Sequence, residues 1–318
     1  MVSSRVAVGP TMSLISLIAA LLLEQWRPLA DRRYLLSPVA RYATFLERQF
    51  NAGEPQQGMI AWMVAVLPPA LGVWLLYRLA YSASPILALL LDVAALYLTM
   101  GFRQRSHYFT DIHLALKEGD LDRAREALAV WRGRGCAGLD RESIVRLTIE
   151  EALAAAHRHV FGVVFWFVLL PGPVGAVLYR LAMFLDRRWG GNDTPELEAF
   201  GRFARRAFAV LDWLPLRFTA AGFAVVGDFE DAVYCWRTQA SKWPDRALGV
   251  ILASGAGAIG VRLGMPVLEG ATIVDRPELG LGEPADTGHL DSLVGLVWRA
   301  LVMWLLMLLL IDVVAAAS

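Results

Sequence analysis

Polar and apolar positions along this chain fall into long blocks rather than short alternations. Gly58 to Tyr77 carries no charge and stops at Arg78, and Val160 to Tyr179 is likewise uncharged. Ala300 to Ile311, extended past Asp312 to Ala317, is a third apolar run with Arg299 at its mouth. A helix crossing the ~30 Å hydrocarbon core needs about 20 mostly apolar residues, which these runs meet or approach. Two more runs are interrupted, Leu79 to Phe102 by Asp92 and Ala207 to Gly227 by Asp212 and Arg217. Leu14 to Leu23 is apolar but short and is stopped by Glu24. No small-residue cleavage site follows it, so it reads as a retained membrane-inserted helix and not as a signal peptide. Residues 1–11 match no pattern and read as a tail from a start called too early.

Between these blocks lie two aqueous segments. Residues 102–157 hold nine basic and nine acidic residues, with helical spacing in Ile112, Leu114 and Leu116 and again in Leu121, Ala124, Leu128 and Trp131. Gly119-Asp120 predicts the break between two helices there. Residues 228–291 hold ten acids against five bases, with several Gly and Pro turns. The expected architecture is all-α: a polytopic membrane protein with about five to six membrane-inserted helices, and amphipathic or soluble helices in the polar loops. Residues 12–318 read as one integral membrane domain. Arg-rich segments 25–57 and 102–157 share a side if two helices separate them, as the positive-inside rule prefers. Arg187, Arg188, Arg202, Arg205 and Arg206 then fall on the wrong side if 160–185 is one span. Pro171-Gly172-Pro173 offers a break that would make that segment re-entrant, and both topologies stay open.

Composition agrees with the blocks. The chain is 57% hydrophobic and 19% charged, with a mean hydropathy of +0.48, against about 25% charged in soluble domains. Thirty basic residues balance thirty acidic ones, so no electrostatic footprint for nucleic acid is expected. Cys136 and Cys235 are too few for a disulfide framework.

Ionisable groups inside spans are costly and face a partner or a cavity. Asp92, Arg180, Asp212 and Arg217 are those groups, read either as a buried-charge network between helices or as the lining of a ligand pocket. His157-x-His159 places two rings on different helix faces, and no Cys/His cluster has zinc spacing, so no metal site is expected. Gly255-x-Gly257-x-x-Gly260 matches a dinucleotide fingerprint by spacing alone, without a preceding strand, and reads as helix packing. The adjacent Glu150-Glu151 reads as a solvated helix terminus.

Several phrases together resemble the CobD/CbiB membrane family of cobalamin biosynthesis. They run in order from about residue 85 to 265. Gly119-Asp120-Leu121-x-x-Ala124-Arg125-x-x-Leu128, Gly133-Arg134, Leu139-Asp140 and Val145-Arg146-x-Thr148-Ile149-Glu150 come first. Gly175-Ala176-x-x-Tyr179-Arg180, Leu185-Asp186, Leu214-Pro215-Leu216-Arg217 and Gly257-Ala258-Ile259-Gly260-Val261-Arg262-Leu263 follow. The resemblance implies an ATP-dependent amide ligase acting on a corrinoid, with Glu150, Tyr179, Arg180, Asp186 and Arg217 as remnants of its motifs. The polar signature is eroded elsewhere. Gly133-Arg134-Gly135-Cys136 stands for Gly-Arg-Asp-Thr, and Ala154-Ala155 and Arg158 stand for Glu-Asn and Asp. Met183 replaces an Asn, and Phe208-Ala209 an Asp-Asp. Carboxylates that would hold Mg²⁺ between phosphates are therefore missing.

The AmpE branch of the same superfamily is similarly eroded. Leu21-Leu22-Leu23-Glu24-Gln25-Trp26 and Leu211-Asp212-Trp213-Leu214-Pro215-Leu216-Arg217, with Gly227 and Trp236, are similar to it. These likenesses imply a CobD/CbiB-like, AmpE-related protein of the bacterial inner membrane, multi-pass, degenerate in catalysis and accessory or sensing in role. The alternative is a divergent adenosylcobinamide-phosphate synthase-type ligase, and only that alternative brings Mg-ATP as a cofactor. Expected partners are the lipid bilayer, a small-molecule or corrinoid-like ligand, and a protein partner or second copy of the chain.

Overall fold

A computed structural model describes residues 10–26, 33–51, 54–191, 195–269 and 272–317. Most of the N-terminal tail therefore lies outside the described residues. The elements in chain order are α1 (Pro10–Trp26), α2 (Arg33–Phe50), α3 (Pro55–Ala83), α4 (Pro85–Thr99), α5 (Phe102–Glu118), α6 (Leu121–Arg132) and α7 (Arg141–Ala156). A π-helical turn, His157–Phe161, joins α7 to α8 (Gly162–Leu169). Then come α9 (Val174–Leu185), α10 (Pro195–Val226), α11 (Phe229–Gln239), α12 (Arg246–Ile259), a two-stranded hairpin β1 (Val267–Glu269) and β2 (Thr272–Val274), and α13 (Thr287–Ala317). The fold is that of an all-α membrane protein.

Four helices are long and apolar enough to cross a membrane: Gln56–Ala83, Arg141–Leu169, Glu198–Val226 and Thr287–Ala315. Shorter apolar helices cover Ser13–Trp26, Pro85–Thr99 and Arg246–Ile259. Along α3, Leu67, Leu71, Leu75 and Leu79 are exposed at i, i+4 spacing, the stripe that lipid would cover. Two expected run boundaries move. The helix of Gly58–Tyr77 continues past Arg78, whose guanidinium lies over the Trp74 ring at 6.0 Å, and ends at Ala83. Ser84 then caps α4 by accepting from the Ile86 amide, so Leu79–Ala83 belong to α3. The run Val160–Tyr179 is not one helix. Its first half continues α7, and the chain breaks at Leu170–Pro173.

The chain forms two compact units, each assembled from stretches far apart in sequence. The first holds residues 1–100, 162–214 and 308–318, and the second 101–161 and 215–307. In the first unit, a core of Ala43, Leu46, Ala61, Val66, Leu185, Trp189 and Phe200 joins α2, α3, α9 and α10. Arg188 reaches from the turn after α9 to the Thr44 hydroxyl at 2.8 Å and to Glu47 at 3.8 Å.

Helices α8 and α9 form an antiparallel hairpin in this unit. Gly162 lies against the Tyr179 hydroxyl, and Gly175 lies against the Trp166 backbone. The two pairs step in opposite directions along the chain, which fixes the antiparallel sense. Any Cβ at either glycine would collide, so the close approach depends on both. Gly172 makes the turn at φ 63°, and a Cβ there would fall 2.7 Å from the Tyr77 ring.

The second unit contains both polar segments. Four of its helices start on aspartates: Asp120, Asp140, Asp228 and Asp245 each accept from a backbone amide of the first turn, satisfying donors the helix cannot. Gly119 closes α5 in the left-handed conformation at φ 78°, as Gly119-Asp120 predicted. The Gly-rich stretch of α12 serves packing, as its missing strand context implied. Gly255 faces the Leu153 side chain, and Gly257 faces the Asp231 backbone.

Candidate functional site

In the second unit, α7 carries Glu142, Arg146 and Glu150 at i, i+4 spacing, so all three side chains share one face. Asp140 caps this helix. The hydrogen bond with the Ser143 side chain, aided by the Ser143 amide and the charge of Arg146, holds the Asp140 carboxyl below its usual range. Arg146 is buried, 3.9 Å from Glu142, and donates to Ser143 Oγ at 3.2 Å and to the Pro266 carbonyl at 3.3 Å. Glu151, one position off this face, lies 3.6 Å from Arg132 instead.

Glu150 is not a solvated terminus. It is 7% exposed, and both carboxylate oxygens are engaged. Arg276 donates to Oε2 at 2.7 Å and to Oε1 at 3.4 Å, and the Gly264 amide donates to Oε1 at 3.0 Å. Arg276 also donates to the carbonyls of Met265 and Gly264 at 3.3 and 3.1 Å. Its guanidinium lies 5.4 Å from the Trp243 ring centre, a cation–π contact. The turn it clamps is unusual, because Gly264 has φ 76° and Met265, without glycine's freedom, has φ 62°. A non-glycine residue there is uncommon and is held by its surroundings. Asp140, Glu142 and Glu150 all act on Arg146, and the motif carboxylate Glu150 is committed to Arg276 and the Gly264 amide.

Other motif remnants fall in the first unit. Tyr179 is fully buried, and its hydroxyl donates to Asp212 Oδ1 at 2.7 Å. Phe208, standing where the family pattern has an Asp, packs 5.5 Å from the Tyr179 ring. Arg180, midway along α9, and Asp186, just past its end, are half-buried, and Asp92 is buried on α4. Arg217 is half-buried beyond Pro215 and belongs to the second unit. The structure thus joins Tyr179 to Asp212 and joins Glu150 to a residue that the motifs did not include.

Two partners were missed from sequence. Trp166 Nε1 donates to the Leu211 carbonyl at 3.1 Å. Arg276 sits 126 residues from Glu150, in a loop that carried no motif. His157 Nδ1 lies 3.0 Å from the Thr219 hydroxyl, a contact made from the π-helical turn. Among the described residues, no group of three or more His, Cys, Asp or Glu side chains converges to hold a metal ion. The residues present do not fit Mg-ATP: Glu150 is taken up by Arg276 and Gly264, and Arg158, where the family pattern has a carboxylate, lies 3.6 Å from Asp245.

Helices long and apolar enough to cross a membrane, with buried carboxylates and an ionic clamp in the polar helices, define an all-α membrane protein with a polar helical portion. The family described as CobD/Cbib protein matches residues 17–297. A relative in Stutzerimonas stutzeri, "Cobalamin biosynthesis protein CobD", is 36% identical over 93% of this chain and 96% of its own length. One of the same name in Chromobacterium violaceum is 35% identical over 88% of each chain, and one in Photorhabdus laumondii is 28% identical over 85% of this chain. No solved structure matches. The chain belongs to the CobD/CbiB family.

Proposed function

We propose that this chain is a multi-pass protein of the bacterial inner membrane that serves cobalamin biosynthesis without forming the amide bond itself. It keeps the scaffold and holds a corrinoid-like ligand or a protein partner. One observation carries this reading: the acidic remnant Glu150 is consumed by Arg276 and the Gly264 amide. Ala154, Arg158, Phe208 and Ala209 supply no carboxylate where the family pattern expects acidic or amide groups. A Mg²⁺-phosphate centre needs several oxygen ligands in one place, and here the Glu150 carboxylate already carries a guanidinium and an amide with no second carboxylate beside it at Ala154 or Arg158.

The full-length likeness to relatives named for cobalamin biosynthesis supports the pathway, and it equally favours a second reading as a divergent synthase-type ligase. Growth separates the two. A bacterium lacking its own synthase, dependent on cobalamin and supplied with cobyric acid, is expected not to grow on this gene alone. Robust growth would establish the ligase reading instead. For location, the protein is expected to stay in the membrane pellet through carbonate and high-salt washing, and release by either wash would overturn the membrane assignment.

A further inference from the structure

One exposed face of α10 changes character along its length within the first unit. Arg202, Arg205 and Arg206 come first on it, at i, i+3 and i+4. Val210, Trp213 and Leu214 continue the same face and are exposed too. From Arg206 to Val210 is one turn, about 6 Å, and the charge is gone. Helix α3 makes the same transition beside it. Gly58 lies against the Phe200 carbonyl, and the Trp62 ring meets the Phe203 ring at 5.5 Å. Both contacts advance together along the two helices, so α3 and α10 run parallel here. The exposed stripe of α3 is apolar from Ile60 and Met63 onward. Two helices thus leave a charged level and enter an apolar one in the same direction.

The turn after α9 anchors the charged level. Arg205 donates to the Gly190 carbonyl, and Gly201 packs on the Trp189 backbone. Arg188, the residue before Trp189, reaches Thr44 of α2, so α2 is held to the same turn. That helix presents Arg41, Phe45 and Arg48 on one exposed face at i, i+4 and i+7. Arg41, Arg48, Arg202 and Arg206 form no ion pair with any described residue. Glu198, a turn before Arg202, forms none either. A guanidinium offers a phosphate two parallel N–H donors, and arginines just outside an apolar layer meet anionic headgroups. The apolar continuation of the α10 face selects the source. Acyl chains would cover Val210, Trp213 and Leu214, whereas a soluble phosphate has no use for them.

We propose that Arg202 and Arg206 of α10, with Arg41 and Arg48 of α2, bind the phosphates of anionic phospholipids in the surrounding bilayer. The surface is independent of whether the protein forms an amide bond. Lipid held there favours the folded first unit, so binding raises folding stability by mass action.

The test is the thermal unfolding midpoint of the full-length protein in an uncharged detergent, titrated with phosphatidylglycerol, phosphatidylcholine or glycerol phosphate. A saturable rise is expected with phosphatidylglycerol, and a much smaller one with the other two. Arg202→Gln combined with Arg206→Gln should weaken the apparent phosphatidylglycerol affinity by roughly tenfold. Arg237→Gln, at an exposed position of the second unit, should leave it unchanged. Equal responses to the two lipids would overturn the proposal, as would full affinity in the double variant. Glycerol phosphate matching phosphatidylglycerol would overturn it in favour of a site for soluble phosphate. An equal loss from Arg237→Gln would reduce the effect to net charge and remove the site. Should the double variant fail to fold, Arg206→Gln alone carries the test, and an unchanged affinity there counts against the surface.

Discussion

Trp166 donates its indole N–H to the carbonyl of Leu211 at 3.1 Å, and that carbonyl is the one Pro215 leaves without an amide. Proline in a helix interior removes the i→i−4 bond and costs ~3 kcal/mol or more unless something compensates. Trp166 is that compensation, and one turn of α10 is thereby tied to the α8–α9 hairpin. Tyr179 ties the next residue, Asp212, to the same hairpin. The prolines and the buried carboxylate that looked like liabilities in a span are attachment points.

The first prediction tests the compensation. Trp166→Phe strands the Leu211 carbonyl and should destabilise the protein by about 1–3 kcal/mol. In a Pro215→Ala background the restored amide takes over that carbonyl, and Trp166→Phe should cost much less. Equal losses in both backgrounds, read by thermal unfolding in detergent, would show that the indole serves packing alone.

The second prediction concerns the charges of α9 and α10. If Arg180 contributes to holding Asp212, alongside the Tyr179 hydroxyl, then Asp212→Ala should lose about 3–5 kcal/mol by stranding a buried partner. Arg180→Met combined with Asp212→Ala should lose less than the two changes summed. Strict additivity would leave Tyr179 as the partner that matters and remove Arg180 from the network.

Much of this fold was legible in the chain, and the failures have specific causes. Long apolar runs revealed α3, α10 and α13, because lipid-length helices need no tertiary information to be recognised. Gly119-Asp120 and Pro171-Gly172-Pro173 marked breaks for local reasons, a left-handed cap and missing amides. The hairpin was not legible, because it depends on Gly162 and Gly175 meeting a ring and a backbone that no local pattern announces. The end of α3 was misplaced because Arg78 was read as a terminus, whereas its guanidinium lies over Trp74 and the helix runs on. In the candidate site, the sequence picked out Glu150, Tyr179 and Asp212, but neither the pairing of Tyr179 with Asp212 nor Arg276 as the partner of Glu150. Arg276 follows β2 and reaches back to the Gly264–Met265 turn, whose conformation, with Met265 at φ 62°, exists only in the folded protein.

The third prediction uses the cap of α7. Asp140 has its carboxyl held below the usual range by Ser143 and by the charge of Arg146. A carboxyl whose folded pKa is depressed adds stability above its unfolded pKa, and that contribution is lost as pH falls through the folded value. Asp140→Ala should therefore cost about 1 kcal/mol at neutral pH. The gap between variant and parent should close as pH drops below ~4. A pH-independent gap would mean that the cap acts through shape and not charge.

The last prediction bears on both stability and chemistry. Glu150 and Arg276 are buried together, with side chains 9% and 11% exposed, and α7 is attached through them to the Gly264–Met265 turn. Removing Arg276 alone leaves a buried carboxylate facing one amide, so Arg276→Met should destabilise by roughly 3–5 kcal/mol. Pairing it with Glu150→Gln removes the stranded charge while keeping an acceptor for the Gly264 amide, and should recover a substantial part. If Glu150 were instead a working ligand or base, the pattern would reverse. Glu150→Gln alone would then be nearly neutral or stabilising, since groups placed for reaction are held at the expense of stability. An Arg276→Met variant that unfolds no earlier than the parent would show that the guanidinium does not clamp the turn. Glu150 would then be free for the chemistry that its present partners deny it.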